Sequence, residues 1–162
     1  MSDRLYTVKD VARMIAFDKS DETIARVMRQ IRHWTNNDLL FPVGGKDTGT
    51  GVSRVYDADG VRKAGIILEL TRYGITVDMV GEETFEEWMS SIVTTKEWKR
   101  AIEGKDDFFL QFAWEAGRGS SSRIPTLNRG LLCRSEYLQR TGMRTASEII
   151  VNVTAICKRI GL

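Results

Sequence analysis

Apolar positions recur at helical spacing from the start of the chain. Between Leu5 and Ala16, the residues Val8, Val11, Ala12 and Ile15 make a one-sided stripe. With Thr7 as the N-cap, this predicts a short helix covering a core. Phe17–Asp21 (FDKSD) interrupts it with turn formers, and Ser20 or Asp21 caps a second helix. At about 100° per residue, Ile24, Val27, Met28, Ile31 and Trp34 share one side of that helix over Thr23–Trp34. Arg26, Arg29, Arg32 and His33 fall on the opposite side, and no Asp or Glu lies between Thr23 and Trp34.

A polar stop at Thr35–Asp38 precedes the apolar run Leu39–Phe41 and Pro42. Gly44–Gly51 (GGKDTGTG) is half glycine, and Val52–Tyr56 alternates as a strand does. Two short β-prone runs around a glycine-rich tip that carries Lys46 predict a hairpin. Asp57 caps the next helix, Ala58–Tyr73, which Gly74 ends. In that helix Val61, Ala64, Gly65, Ile67 and Leu68 are expected on the core side, with Arg62, Lys63, Glu69 and Arg72 in water. A fourth helix starts from Thr76 and runs to about Val93. A further helical piece, Lys96–Ile102, stops at Gly104.

Residues 105–162 have a different texture. Phe108–Trp114 is aromatic and strand-like, Gly117–Ser122 is a loop, and Leu131–Leu138 is a second strand candidate. Glu148–Val153 is β-branched, and helical spacing takes over through Ile160. The fold class expected is α+β: four helices and a hairpin over residues 1–80, an acidic helical linker over 81–104, and a small mixed module over 105–162.

Composition narrows the classes. The chain has 162 residues and a net charge of +2, so bulk charge does not announce a polyanion partner. Its distribution is uneven: an acidic middle separates two mildly basic ends. Cys133 and Cys157 stand alone, outside any metal-ligand spacing, so no metal or cofactor is expected. No apolar run reaches the length of a membrane span, and MSDRLYTVKD lacks the apolar core of a signal peptide. A cytoplasmic protein without membrane contact is expected.

One ordered set of motifs is more specific. Ile31-Arg32-His33-Trp34 is followed by Asp38-Leu39-Leu40, Pro42, Arg54-x-Tyr56, Asp59-x-Val61 and Tyr73-Gly74-Ile75-Thr76-Val77-x-x-Val80. Over about Leu5–Val80 this resembles the DNA-binding domain of the mercury-resistance regulator (MerR) family. That pattern runs Ile/Leu-Arg-Tyr-Tyr, Gly-Leu-Leu, Pro, Arg-x-Tyr, Asp-Val and Leu-Gly-Phe-Ser-Leu-x-x-Ile. The resemblance implies a winged helix-turn-helix, a homodimer on a near-palindromic operator, and double-stranded DNA as partner. It places Arg32, His33 and the wing residue Arg54 on the phosphate backbone, and implies that Tyr56 packs the wing onto the third helix. The sequence departs from the family in three places, one of them the short acidic segment broken near Thr94–Thr95 where members often carry a long antiparallel coiled coil. The stretch Phe17–Gln30 is several residues longer, giving either an extra turn of helix or a loop, and Asp38 stands where the family has Gly.

The candidate DNA-contacting residues are therefore Arg26, Arg29, Arg32, His33, Lys46 and Arg54, against the plain alternative of a solvated face. Arg26 and Arg29 are the expected base readers, because a guanidinium pairs bidentately with guanine. The glycine run has neither GxxxxGK[ST] nor GxGxxG spacing, which argues against a nucleotide loop. Trp88, Trp98, Trp114, Phe108, Phe109 and Phe112 are core candidates before they are an effector pocket. Arg118, Arg123, Arg129 and Arg134 offer a second nucleic-acid contact or a solvated surface. No catalytic constellation appears, and no enzyme is expected. Two functions remain: a transcriptional regulator touching RNA polymerase, or an architectural or excision factor of a mobile element working beside a recombinase. A pure protein-interaction module is the third alternative.

Overall fold

A computed structural model describes residues 4–45, 52–74, 89–105, 107–115, 126–133 and 147–162. It is mixed α+β, with helices and two small antiparallel sheets. Two compact units divide the chain. The first holds Met1–Val93 with Arg159–Leu162, and the second holds Thr94–Lys158.

In the first unit, strand β1 (Tyr6–Thr7) leads directly into helix α1 (Val8–Ile15). Thr7 ends the strand and caps the helix. Its hydroxyl accepts from the Asp10 amide, and the Asp10 carboxylate accepts from the Thr7 backbone N–H at 3.0 Å and the Thr7 hydroxyl at 2.6 Å. Val11, Ala12 and Ile15 are buried, while Val8 is half-buried. The helix starts at Val8, directly after the expected cap Thr7, and Tyr6 and Thr7 before it pair in the sheet.

The turn Phe17–Ser20 is closed by its own polar groups. Lys19 Nζ donates to the Arg13 and Ala16 carbonyls, each at 2.6 Å, satisfying acceptors at the end of α1. Asp18 accepts from the Ser20 amide, the Ser20 hydroxyl and the Thr23 hydroxyl. Ser20 then caps helix α2 (Asp21–Asn36). The stretch Phe17–Gln30 is thus a short turn followed by the first part of α2.

α2 buries Ile24, Val27, Ile31, Trp34 and Thr35. Its end is a Schellman motif: the Leu39 amide donates to the Trp34 carbonyl at 2.9 Å, and the Asp38 amide to Thr35 at 3.4 Å. Asp38 takes the left-handed conformation that closes it, with φ 56°. Leu39 and Leu40 are buried against this turn's exit.

Only the two sides of the expected hairpin lie among the described residues. Strand β2 is only Val55–Tyr56, and its partner is β1, with Tyr6 opposite Tyr56 and Thr7 opposite Val55. Leu39–Phe41 is not a strand, and beyond Pro42 the Val43 amide donates to the Val55 carbonyl at 2.8 Å. The tip with Lys46 lies outside the described residues.

Helix α3 (Ala58–Arg72) comes next, capped by Asp57, and Gly74 lies beyond its end with φ 79°. Gly60, Val61, Ala64–Leu68 and Leu70 are all buried, the mark of a helix enclosed on most sides. Arg62, expected in water, is instead only 7% exposed and paired with Asp59 at 2.8 Å. Enclosure reaches the side that periodicity assigns to solvent. The helix expected from Thr76 falls mostly outside the described residues; residues 89–93 are helical, with Met89 and Ile92 buried.

In the second unit, Thr95 caps helix α4 (Lys96–Ile102), which buries Trp98 and Ala101 and ends before Gly104 at φ 65°. Strand β3 (Phe108–Glu115) is central, with β4 (Thr126–Cys133) on one side and β5 (Ser147–Asn152) on the other, all antiparallel. β4 begins five residues before the expected Leu131, and residues 134–138 of that expected strand lie outside the described residues. β5 passes directly into helix α5 (Val153–Ile160). Asn152 accepts from the Ala155 amide at 2.8 Å, and buried Thr154 accepts from the Phe108 amide at 3.1 Å, joining the helix start to β3. Cys157 is a buried free thiol, and no helix among the described residues is long and apolar enough to cross a membrane.

Candidate functional site

α2 presents its cations because its apolar stripe is fully used. With Val27, Ile31 and Trp34 at or below 2% exposure, Arg26, Arg29, Arg32 and His33 are all turned to solvent. Among the described residues, Arg26, Arg29 and Arg32 make no hydrogen bond or ion pair. Asp21 and Glu22 sit in the first turn, where the helix dipole favours anions, and leave the rest of the face cationic.

These residues do not form one stripe. At about 100° per residue, Arg26 and Arg32 are separated by roughly 120° around the axis, with Arg29 and His33 between them. Each flank of α2 has its own surroundings.

The Arg32 flank faces β2. Arg54 Nη1 donates to Asn36 Oδ1 at 3.0 Å, tying the segment before β2 to the last turn of α2. Beneath this brace the Tyr56 and Thr35 hydroxyls meet at 2.7 Å in a buried contact. Burial pushes the Tyr56 phenol above its ordinary range. The guanidiniums of Arg54 and Arg32 pull the other way. Arg32 and Arg54 therefore converge on one small region, held by two polar contacts between α2 and β2. His33 is steadied by Asn37, whose side-chain amide donates to the His33 carbonyl at 2.8 Å and lies 3.1 Å from Nδ1.

The Arg26 flank is different. Arg26 lines a cleft of about 330 Å³ with Thr23, Val27 and Gln30 of α2, Phe17 and Asp18 of the turn, and Leu68, Thr71 and Arg72 of α3. The carboxylate in the cleft is that of Asp18. It is held below the usual range mainly by the Ser20 hydroxyl and amide and the Thr23 hydroxyl, and less by the Arg26 charge. The Phe17 ring, 45% exposed, carries the Arg72 and Arg159 guanidiniums at 4.1 and 3.8 Å. Glu69 pairs with both, at 3.3 and 3.7 Å.

The structure thus brings Arg32 and Arg54 near Tyr56, places Arg26 in the cleft against α3, leaves Arg29 and His33 exposed on the face between, and leaves Lys46 outside the described residues. Sequence pattern alone did not bring out Asn36, whose position four residues after Arg32 was the available signal, nor the cleft residues Phe17, Gln30 and Arg72. Of the aromatic cluster, Trp98 and Phe108 are buried and Phe109 is half-buried; Trp88 lies outside the described residues. No protein-family model and no curated protein matches this chain.

Proposed function

We propose that the chain is a sequence-specific DNA-binding transcriptional regulator with a winged helix-turn-helix of MerR-like type, binding as a homodimer and catalysing nothing. α1, the Phe17–Ser20 turn and α2 are the helix-turn-helix, and the segment leading to β2 is the base of the wing. α2 enters the major groove. Arg29 reads a base edge, Arg32, His33 and Arg54 hold phosphates, and Arg26 lies at the margin of the contact. Lys46 extends the phosphate contact from the tip of the wing.

The observation that carries this proposal is the state of Arg29 and Arg32. Both are exposed on one helix and neither has a counter-charge or hydrogen-bond partner among the described residues, while Arg54 is braced beside them by Asn36. Cations held without partners on a helix are what an anionic groove complements.

The test is selection of bound genomic fragments, then affinity measurement on the recovered site. Arg29→Ala costs about 1–3 kcal/mol and relaxes the preference at one base pair, whereas Arg32→Ala weakens all sequences alike. Equal affinity of both variants and the parent in low salt overturns the proposal. Footprinting decides the biological role: one palindrome at a promoter supports regulation, and tandem direct sites at an attachment region support an architectural factor.

A further inference from the structure

We propose that the cleft between the first half of α2 and the last turn of α3 binds a small monocarboxylate with an apolar body. The inference goes beyond DNA binding and does not depend on it.

Arg26 and Gln30 are one turn apart on α2 and both line the cleft. Neither makes a hydrogen bond or ion pair among the described residues, so a guanidinium and an amide stand side by side with their donors unused. The other polar groups are already committed. Thr71 donates to the Leu68 carbonyl at 2.8 Å, and Thr23 donates to Asp18 at 3.1 Å. Asp18 accepts three hydrogen bonds in all, which leaves it no role as the anchor of a cationic ligand.

Charge then selects the ligand. One carboxylate and two guanidiniums line the cleft, leaving a single positive charge. That matches a monoanion and disfavours both a cation and a dianion. Arg26 supplies the planar fork that takes a carboxylate bidentately. An exposed ion pair alone binds weakly, so the ligand also needs an apolar body. Val27 and Leu68, 2% and 6% exposed, give it a floor, and the half-exposed Phe17 a wall. Gln30 pairs with the second carboxylate oxygen or with a polar substituent. The volume suits a ligand of about ten to twenty non-hydrogen atoms.

The test uses the full chain and naphthoate as probe, followed by heteronuclear NMR titration. Naphthoate is expected to bind saturably, with Kd on the order of 1 mM, as its size allows. The shifts should centre on Val27, Gln30 and Leu68. Naphthamide, which keeps the ring and lacks the charge, should bind at least about tenfold more weakly, and Arg26→Gln should weaken naphthoate by a similar factor while leaving naphthamide unchanged. Arg26 is exposed, so the variant keeps the fold, which its own spectrum verifies. No saturable binding, equal binding of acid and amide, or an undiminished Arg26→Gln variant each overturns the proposal. No DNA is present in these titrations, so their failure is distinct from failure of the DNA-binding proposal.

Discussion

The Tyr56 hydroxyl donates to Thr35 Oγ1 across 2.7 Å, inside the core of the first unit and 21 residues apart in sequence. The direction comes from proton supply. Thr35 has one hydroxyl proton, and it lies 2.9 Å from the Ile31 carbonyl, which can only accept. The Thr35 oxygen is thus left to accept from the phenol. The contact joins α2 to β2, and so fixes the helix that bears Arg32 against the strand that comes after Arg54.

Tyr56→Phe removes that donor and orphans nothing, because Thr35 keeps its bond to Ile31. The expected cost is about 1 kcal/mol in urea denaturation. Thr35→Val leaves the buried phenol without an acceptor and costs more, up to about 3 kcal/mol. Equal losses in the two variants contradict the assigned direction. Tyr56 also sets an alkaline limit. Burial raises its phenol above the ordinary value of 10.0. The folded state therefore favours the neutral form. The stability this contributes is whole below pH 10.0 and is lost as pH rises through the folded value. The parent's urea midpoint should fall across that window, and Tyr56→Phe should lack this part of the decline.

The opposite sign holds at the start of α1. The Asp10 carboxylate is held below its ordinary 3.8 by the Thr7 hydroxyl first and the Thr7 backbone N–H second. A lowered folded value contributes stability above 3.8 that is lost as pH falls through it. Thr7→Ala removes the stronger of the two bonds together with the cap on the Asp10 amide. It should cost about 1 kcal/mol at neutral pH. The acid side of its thermal-midpoint profile should also be shallower than the parent's.

Asp38 sits in left-handed backbone at φ 56°, where a Cβ carries a penalty that glycine avoids. Asp38→Gly should stabilise the first unit by up to about 1 kcal/mol, less whatever the aspartate side chain contributes. A shift of the thermal midpoint upward, with an unchanged spectrum, is the expected result. A fall shows that the side chain matters more than the backbone strain.

Much of this was legible in the chain. Thr7 and Asp57 cap helices as short polar side chains before apolar periodicity predict, and of the two expected caps of α2 the structure uses Ser20. β1 was not legible, because two residues carry no alternation and only the register with Val55–Tyr56 makes them a strand. Arg62 was not legible either. An arginine at a helix position facing away from the stripe reads as solvated unless other elements cover it, and here they leave it 7% exposed with Nε unpartnered. The cationic face reads as a single stripe from α2 alone. Its division into an Arg32 flank and an Arg26 flank depends on β2 and α3, which lie far away in sequence.

The Arg54–Asn36 contact separates charge from position. Under the DNA-binding proposal, Arg54→Ala deletes one phosphate contact, so the slope of log affinity against log salt should become shallower by about one. Asn36→Ala leaves the charge in place and removes only its brace at 3.0 Å. Arg54 then loses one of the contacts that order it, and ordering it on DNA costs up to about 0.5–1.5 kcal/mol for one such side chain. The expected result is an affinity loss of about two- to tenfold with the salt slope unchanged. Fluorescence anisotropy over a salt series measures both quantities. If Asn36→Ala changes the slope as much as Arg54→Ala does, Asn36 acts on DNA directly and not through Arg54.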